Sequence, residues 1–200
     1  MSGIELDLRW CTLLLFLIDF GSFAWGMHSL FSRPTGKHWE MKAVELVGGL
    51  FFGFQLIAIL LHPAHWSWNL AASWLLYLAS GVLFWSSVWA TRHAPLSWAF
   101  SRDEPCHIIR SGVFNVLRHP FYTSYLLAWL AGVLATLEPI LVIAVLVMGS
   151  IYREAAKLEE GKFACSSLSD GYDRYRRETG AFFPKIWRTR NSSHFQRTGR

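Results

Sequence analysis

Apolar and polar residues are segregated along this chain in long blocks, not residue by residue. Five blocks are almost wholly apolar: Trp10–Leu30, Val44–Leu61, Leu70–Trp89, Tyr122–Leu137 and Pro139–Ile151. A hydrocarbon core of about 30 Å needs about 20 helical residues to cross it. The pattern therefore predicts an all-α integral membrane protein with about five transmembrane helices. The last two blocks are short, about 24 and 20 Å at 1.5 Å per residue. Only Glu138 separates them, which makes them a tight, tilted helical hairpin whose second arm continues as a helix beyond the membrane.

The polar stretches between the blocks set the organisation of one membrane domain, 1–200. Three N-terminal spans fill 10–89, a second region covers 90–187, and a disordered basic tail occupies 188–200. Ser32–Ala43 is a turn holding Pro34 and Gly36. His62-Pro63-Ala64-His65 is a short outer turn with Trp66 and Trp68, residues typical of a membrane interface. Two histidines alone do not make a metal site, and none is assigned. Ala90–Leu117 is long enough to cover a pocket as a lid. After the hairpin, Tyr152 to about Phe163 reads as an amphipathic cytoplasmic helix with Lys157 and Glu160 at i,i+3. Tyr172 and Tyr175 then share a helix face. Two acids stand inside the apolar blocks. Asp19 is either functional or a bundle-facing group paired to a serine. Glu45, just inside the second span, reads as an interfacial charge beside Lys42 or Arg33.

Composition removes the soluble alternative: 52% of residues are hydrophobic and 16% charged, with eleven Trp and fifteen Phe. Of nineteen Lys and Arg, only Arg9 precedes the first span's end. The others fall in Ser32–Ala43, Ala90–Phe121 and after Ile151, so the positive-inside rule places the N-terminus outside and the C-terminus in the cytoplasm. The net charge of +5 is then a topology signal and a contact with membrane lipids, not a nucleic-acid footprint. Three scattered cysteines form no disulfide framework. The first span is no cleaved signal peptide: its flank carries Glu5 and Asp7, its apolar run is too long, and no small-x-small site follows.

Candidate chemistry gathers at the two feet of the hairpin. Arg118-His119-Pro120-Phe121-Tyr122 opens its first arm, and Tyr152-Arg153-Glu154 followed by Glu159-Glu160 ends its second. A chain that enters and returns at once brings both feet to the same side, so a cationic-aromatic cluster meets paired carboxylates. Taken singly, Arg118 and His119 read as interfacial anchors and the Glu pair as a solvated face. Together across a hairpin they read as a pocket for a polar, charged ligand.

The ordered set Gly112 to Tyr122, hairpin, Glu159-Glu160, Tyr172-x-x-Tyr175 and Phe183-Pro184 resembles the isoprenylcysteine carboxyl methyltransferase family and its phospholipid methyltransferase relatives, over about 90–187. Ser124 stands where the family pattern has Gly, and Ser169-Asp170-Gly171-Tyr172 replaces Phe-Gly-x-x-Tyr. The resemblance implies a membrane enzyme that binds S-adenosylmethionine on its cytoplasmic side through Arg118, His119, Pro120, Tyr122, Glu159 and Glu160. It implies a lipophilic or lipidated acceptor, such as a prenylated cysteine carboxylate, with Arg153 as the contact for an acidic acceptor and Glu160 as a catalytic group. Two other classes stay open: an NADPH-dependent membrane reductase of the sterol reductase type, and a non-catalytic scaffold that keeps the pocket.

Overall fold

Four helices are long and apolar enough to cross a membrane among the described residues: Asp7–Ser29, Lys42–Leu61, Trp68–Thr91 and Pro139–Ala164. They belong to a computed structural model that describes residues 3–30, 39–62, 65–92 and 107–185. In chain order the helices are α1 (Gly3–Ser29), α2 (Trp39–Leu61), α3 (Trp68–Thr91), α4 (Pro120–Thr136), α5 (Pro139–Ala164) and α6 (Ser169–Glu178), with a 3-10 turn at Gly112–Asn115 before α4. The all-helical membrane architecture expected from the blocks is what forms. The fourth block becomes α4, which has 17 residues, or about 25 Å. That is the short arm the sequence suggests, and just beyond its end Glu138 reaches His62 at the end of α2. Residues 32–38 of the turn at Ser32–Ala43, 93–106 of the loop at Ala90–Leu117 and the tail at 188–200 lie outside the described residues.

Proline begins both arms of the hairpin. Pro120 is the first residue of α4 and Pro139 the first of α5, where a missing N–H breaks no helical bond. Leu137 ends α4 in the left-handed region at φ 56°, a conformation that a helix of L-residues cannot continue. Glu138 then turns the chain, and α5 runs unbroken to Ala164. The continuation of the returning arm past the apolar block is therefore realised as one helix.

Polarity is inverted relative to a soluble bundle. Leu14, Leu46, Leu75, Val82 and Leu146 are exposed and form a lipid-facing surface, while several polar groups are turned inward. Ser73, Ser80 and Ser87 are wholly buried on one stripe of α3, against which α4 packs most extensively. Small residues let membrane helices approach closely, and Ser80 Oγ donates to the carbonyl of Ser124 at 2.9 Å. Asp19 is buried beside Ser80 and Gly81 of α3, so it faces the bundle. At the end of the bundle away from the Arg118 cluster, His62 pairs with Glu138 at 2.6 Å, tying the end of α2 to the hairpin turn.

Gln55 of α2 is fully buried and donates through Nε2 to Tyr77 Oη at 2.8 Å and to the carbonyl of Ala128 at 3.3 Å. Its amide lies directly on Gly132, where an added Cβ would collide with it. Gly132→Ala should therefore lower thermal stability in detergent by about 1–3 kcal/mol, the usual range for overpacking. In a Gln55→Ala background the same change should cost little. Equal losses in both backgrounds would show that the amide contact is not the reason for the glycine.

Candidate active site

The path of the backbone brings the site together before any side chain does. Residues 179–182 run alongside 116–119: Arg118 N–H donates to Gly180 O at 2.8 Å, His119 N–H to Ala181 O at 3.1 Å, and Gly180 N–H to Val116 O at 3.2 Å. A Cβ at Gly180 would strike the Phe183 carbonyl, so only glycine fits this turn. The helix α6 is held in place by its tyrosines, as their shared face predicted. Tyr172 stacks on Phe163 at 4.3 Å between ring centres, and Tyr175 donates from its hydroxyl to Phe114 O at 2.7 Å.

Onto this frame the hairpin delivers its charges. Arg118 donates through Nε to Glu160 Oε1 at 2.9 Å, and through Nη1 to the carbonyls of Thr179 and, at 3.2 Å, Arg176. His119 lies between the two acids: Nε2 is 3.1 Å from Glu160 Oε1, and Nδ1 is 3.3 Å from Glu159 Oε2. Tyr122 donates its hydroxyl to Glu159 Oε1 at 2.6 Å. Successive helix residues point about 100° apart, so the adjacent acids serve different walls. Glu159 takes the bundle side with Tyr122, and Glu160 takes Arg118. Lys157 does not pair with Glu160; it bonds Glu154 at 2.7 Å instead, because both are solvent-exposed while Glu160 is turned to Arg118.

The histidine is 5% exposed in its side chain. Burial alone would lower its pKa, but hydrogen bonds from both ring nitrogens to Glu159 and Glu160, with their charges, outweigh this and hold it above the ordinary 6.5. A ring that meets a carboxylate at each nitrogen is best satisfied with both nitrogens protonated. Its flat faces are flanked by Tyr122 and Phe182, each at 5.8 Å, and Tyr122 stacks in turn on Tyr152 at 5.4 Å.

Of the residues singled out from the sequence, Arg118, His119, Tyr122, Glu159 and Glu160 form one bonded cluster. Pro120 lies buried beneath it as the first residue of α4. Arg153 is on α5, exposed, and lines a cavity of about 390 Å³ together with Arg118, Lys157, Glu160 and Phe182. A larger cavity of about 510 Å³ touches the cluster through Tyr122 and is otherwise almost wholly apolar. The two cavities share no lining residue. Ser124, the departure from the resembled pattern, lines neither; its hydroxyl bonds Phe121 O at 2.7 Å and its carbonyl faces α3. Phe182 and Tyr152 were not singled out as site residues. Tyr152 was readable, since it lies seven residues before Glu159 on one α5 stripe; Phe182 depends on the tertiary path of 179–182.

A family model described as phospholipid methyltransferase matches residues 68–167, half of the chain. The match runs from the start of α3 to just past Glu160 and so contains both feet of the hairpin. No curated protein matches the sequence.

The raised pKa of His119 has a testable sign. Its contribution to stability is fully present below pH 6.5 and is lost as pH rises through the raised folded value. The melting temperature of the cofactor-free protein in detergent should fall as pH increases from 6.5 into the alkaline range, and His119→Gln should flatten that limb. A wild-type melting temperature that rises over this range would contradict the assignment.

Proposed function

The chain belongs to the phospholipid methyltransferase family, and on that premise we propose that it is an S-adenosylmethionine-dependent enzyme that methylates a lipophilic acceptor at the membrane surface. The observation that carries this reading is the imidazole of His119 placed between two carboxylates that reach it from the other arm of the hairpin. The family match supports methyl transfer over the NADPH reductase alternative and over a bare scaffold.

The residues present fit the cofactor. A bound S-adenosylmethionine supplies a methyl group activated by its sulfonium, so the protein's task is orientation and exclusion of water. Glu159 and Glu160 suit an ammonium or ribose hydroxyls as charge-assisted acceptors. The free N–H groups at the start of α4, behind Pro120, suit a carboxylate. Phe182 offers an aromatic ring, whose face attracts a sulfonium; the Tyr122 ring is already stacked on His119 and Tyr152. Arg118 has a positioning role, because its donors already hold Glu160 and the carbonyls of Arg176 and Thr179. His119, held protonated, acts as a donor that orients both acids and not as a base. Arg153 is the cation for a carboxylate acceptor of the prenylcysteine type. It opens on the smaller cavity and not on the apolar one.

Isothermal titration of S-adenosylmethionine into the detergent-purified protein tests the reading, and absence of binding to the wild type would overturn it. Glu159→Gln should weaken binding about tenfold or more, the effect of losing one charge-assisted bond worth about 1.5–3 kcal/mol. Glu160→Gln should act mainly on thermal stability, by leaving Arg118 short of its partner.

We also propose the orientation. The end bearing Arg118, Arg153 and Lys157 faces the cytoplasm, and the His62–Glu138 end faces away from it, as the Lys and Arg distribution indicates. In a variant with native cysteines replaced, a membrane-impermeant thiol reagent applied to intact cells should label Trp66→Cys and spare Asn115→Cys. The opposite pattern would reverse the topology.

A further inference from the structure

Asp19 stands near the middle of the span Asp7–Ser29, apart from the charged cluster at His119. An ionisable group at that depth is costly to hold and is a candidate for function. Its side chain is buried and turned to α3, into a notch that Gly81 leaves open. A Cβ at Gly81 would come within 3.0 Å of Asp19 Oδ1, tighter than an ordinary contact. Ser80, the residue before that glycine, is hydrogen-bonded to Asp19. The second carboxyl oxygen, Oδ2, is buried with no hydrogen-bond partner among the described residues, and none of their cations is paired with the acid.

Counting hydrogens decides the state of the acid. Ser80 Oγ has one hydrogen, and it donates to the carbonyl of Ser124 on α4 at 2.9 Å. The hydroxyl then meets Asp19 only as an acceptor, and an ionised carboxylate has nothing to donate. Bonds to both partners at once therefore need a neutral carboxylic acid whose O–H points to Ser80. An ionised Asp19 would instead claim the hydrogen of Ser80, and α4 would lose its tie at Ser124. Burial argues the same way, because a carboxylate here would lack both a counter-charge and a partner for Oδ2. Within electrostatic reach stands Tyr77 of α3, whose hydroxyl is engaged by Gln55 at 2.8 Å. The donor from Asp19 also fixes the direction of the serine. A helical serine without such a partner turns its hydrogen back to the preceding turn, as Ser87 does to the carbonyl of Leu83 at 2.7 Å.

We propose that Asp19 is a positioning residue for the site: held as a neutral acid, it donates to Ser80 and so directs the hydrogen of Ser80 to α4 at Ser124. Ser124 follows Tyr122 by two residues and His119 by five, so the anchored carbonyl lies within the first turns of α4, which present both. Asp19 thus acts from α1 through α3 on α4 without touching a ligand. It lies outside the stretch matched by the family model, while Ser80 and Ser124 lie within it. That this anchoring serves S-adenosylmethionine rests on the methyltransferase reading; the proton on Asp19 does not.

Infrared spectroscopy of the detergent-purified protein at neutral pH reads the proton directly. The wild type should show the carbonyl band of an un-ionised carboxylic acid, and Asp19→Asn should lose it. In Ser80→Ala the band should remain but shift in frequency, because the acid has lost the oxygen it donates to. Isothermal titration of S-adenosylmethionine reads the position of α4. Ser80→Ala and Asp19→Ala should each weaken binding about two- to tenfold, the worth of one neutral hydrogen bond. Asp19→Asn, whose amide N–H can donate to Ser80, should bind more tightly than Asp19→Ala. A wild-type band that is absent, survives Asp19→Asn or is unmoved by Ser80→Ala would overturn the neutral donor. Equal S-adenosylmethionine affinity in the wild type, Asp19→Ala and Ser80→Ala would overturn the positioning role. Absence of S-adenosylmethionine binding to the wild type, with the infrared pattern intact, would instead overturn the methyltransferase reading and leave the neutral acid standing.

Discussion

Two helices of unequal length leave one turn and must meet again at their far ends, and the side chains that close this gap are those of the site. Tyr122 lies 14 residues before the end of α4, about 21 Å from it. Glu159 lies 20 residues after the start of α5, about 30 Å from it. The direction of side chains on a helix closes the difference. Each Cα–Cβ bond tilts toward its helix N-terminus, so Tyr122 and His119 lean outward from the turn while Glu159 and Glu160 lean back toward it. The antiparallel arms thus aim their polar groups at one another, and the bonds at 2.6 to 3.3 Å follow.

Holding charges there is costly in itself. Arg118 is 9% exposed in its side chain and Glu160 20%, and such pairs stabilise only when the remaining donors and acceptors are also satisfied. This is the structural reason for the segment that follows α6. Its Thr179 carbonyl, with that of Arg176 in the last turn of α6, accepts from the guanidinium Nη1, and its turn at Gly180 brings Phe182 onto the imidazole. The C-terminal segment is accordingly part of the site, although it contributes backbone and one ring and no charge. Within the bundle Gln55 is held through its Nε2, which joins α2 to α3 and α4 at once, while its buried Oε1 has no hydrogen-bond partner among the described residues.

What could be read from the sequence follows from this division. The apolar blocks, the hairpin and the cluster from Arg118 to Tyr122 with Glu159 and Glu160 were legible, because each depends on local pattern plus one short turn. The pairing of 179–182 with 116–119 was not, since it joins residues about 60 apart through bonds to main-chain atoms that carry no residue signature. Lys157 was assigned to the wrong acid because helical spacing offers Glu154 and Glu160 equally, and only the tertiary demand of Arg118 decides between them. Glu45 was read as an interfacial charge or as a group facing the pocket; that it borders the larger cavity depends on how α1 and α2 stand against α4 and α5. The fourth block was read as a short arm, and Pro120 and Leu137 bound it as a helix of 17 residues.

The same division separates what the family match can decide from what it cannot. It covers residues 68–167, which hold every bonded side chain of the cluster but none of α1 or α2. The smaller, cationic cavity is lined from α4, α5 and the segment 181–183 together with Arg118, so most of its wall comes from the matched half. The larger cavity takes much of its wall, including its one charge, from α1 and α2. Groups that orient a shared cofactor must keep fixed distances to one another, and a single hairpin supplies them. A surface that receives an acceptor needs only shape and charge suited to that acceptor, and separate helices can change both without disturbing the hairpin. The charged cluster and the apolar cavity are thus carried by different parts of one small bundle, joined at Tyr122, whose ring lines the apolar cavity and whose hydroxyl is bonded to Glu159.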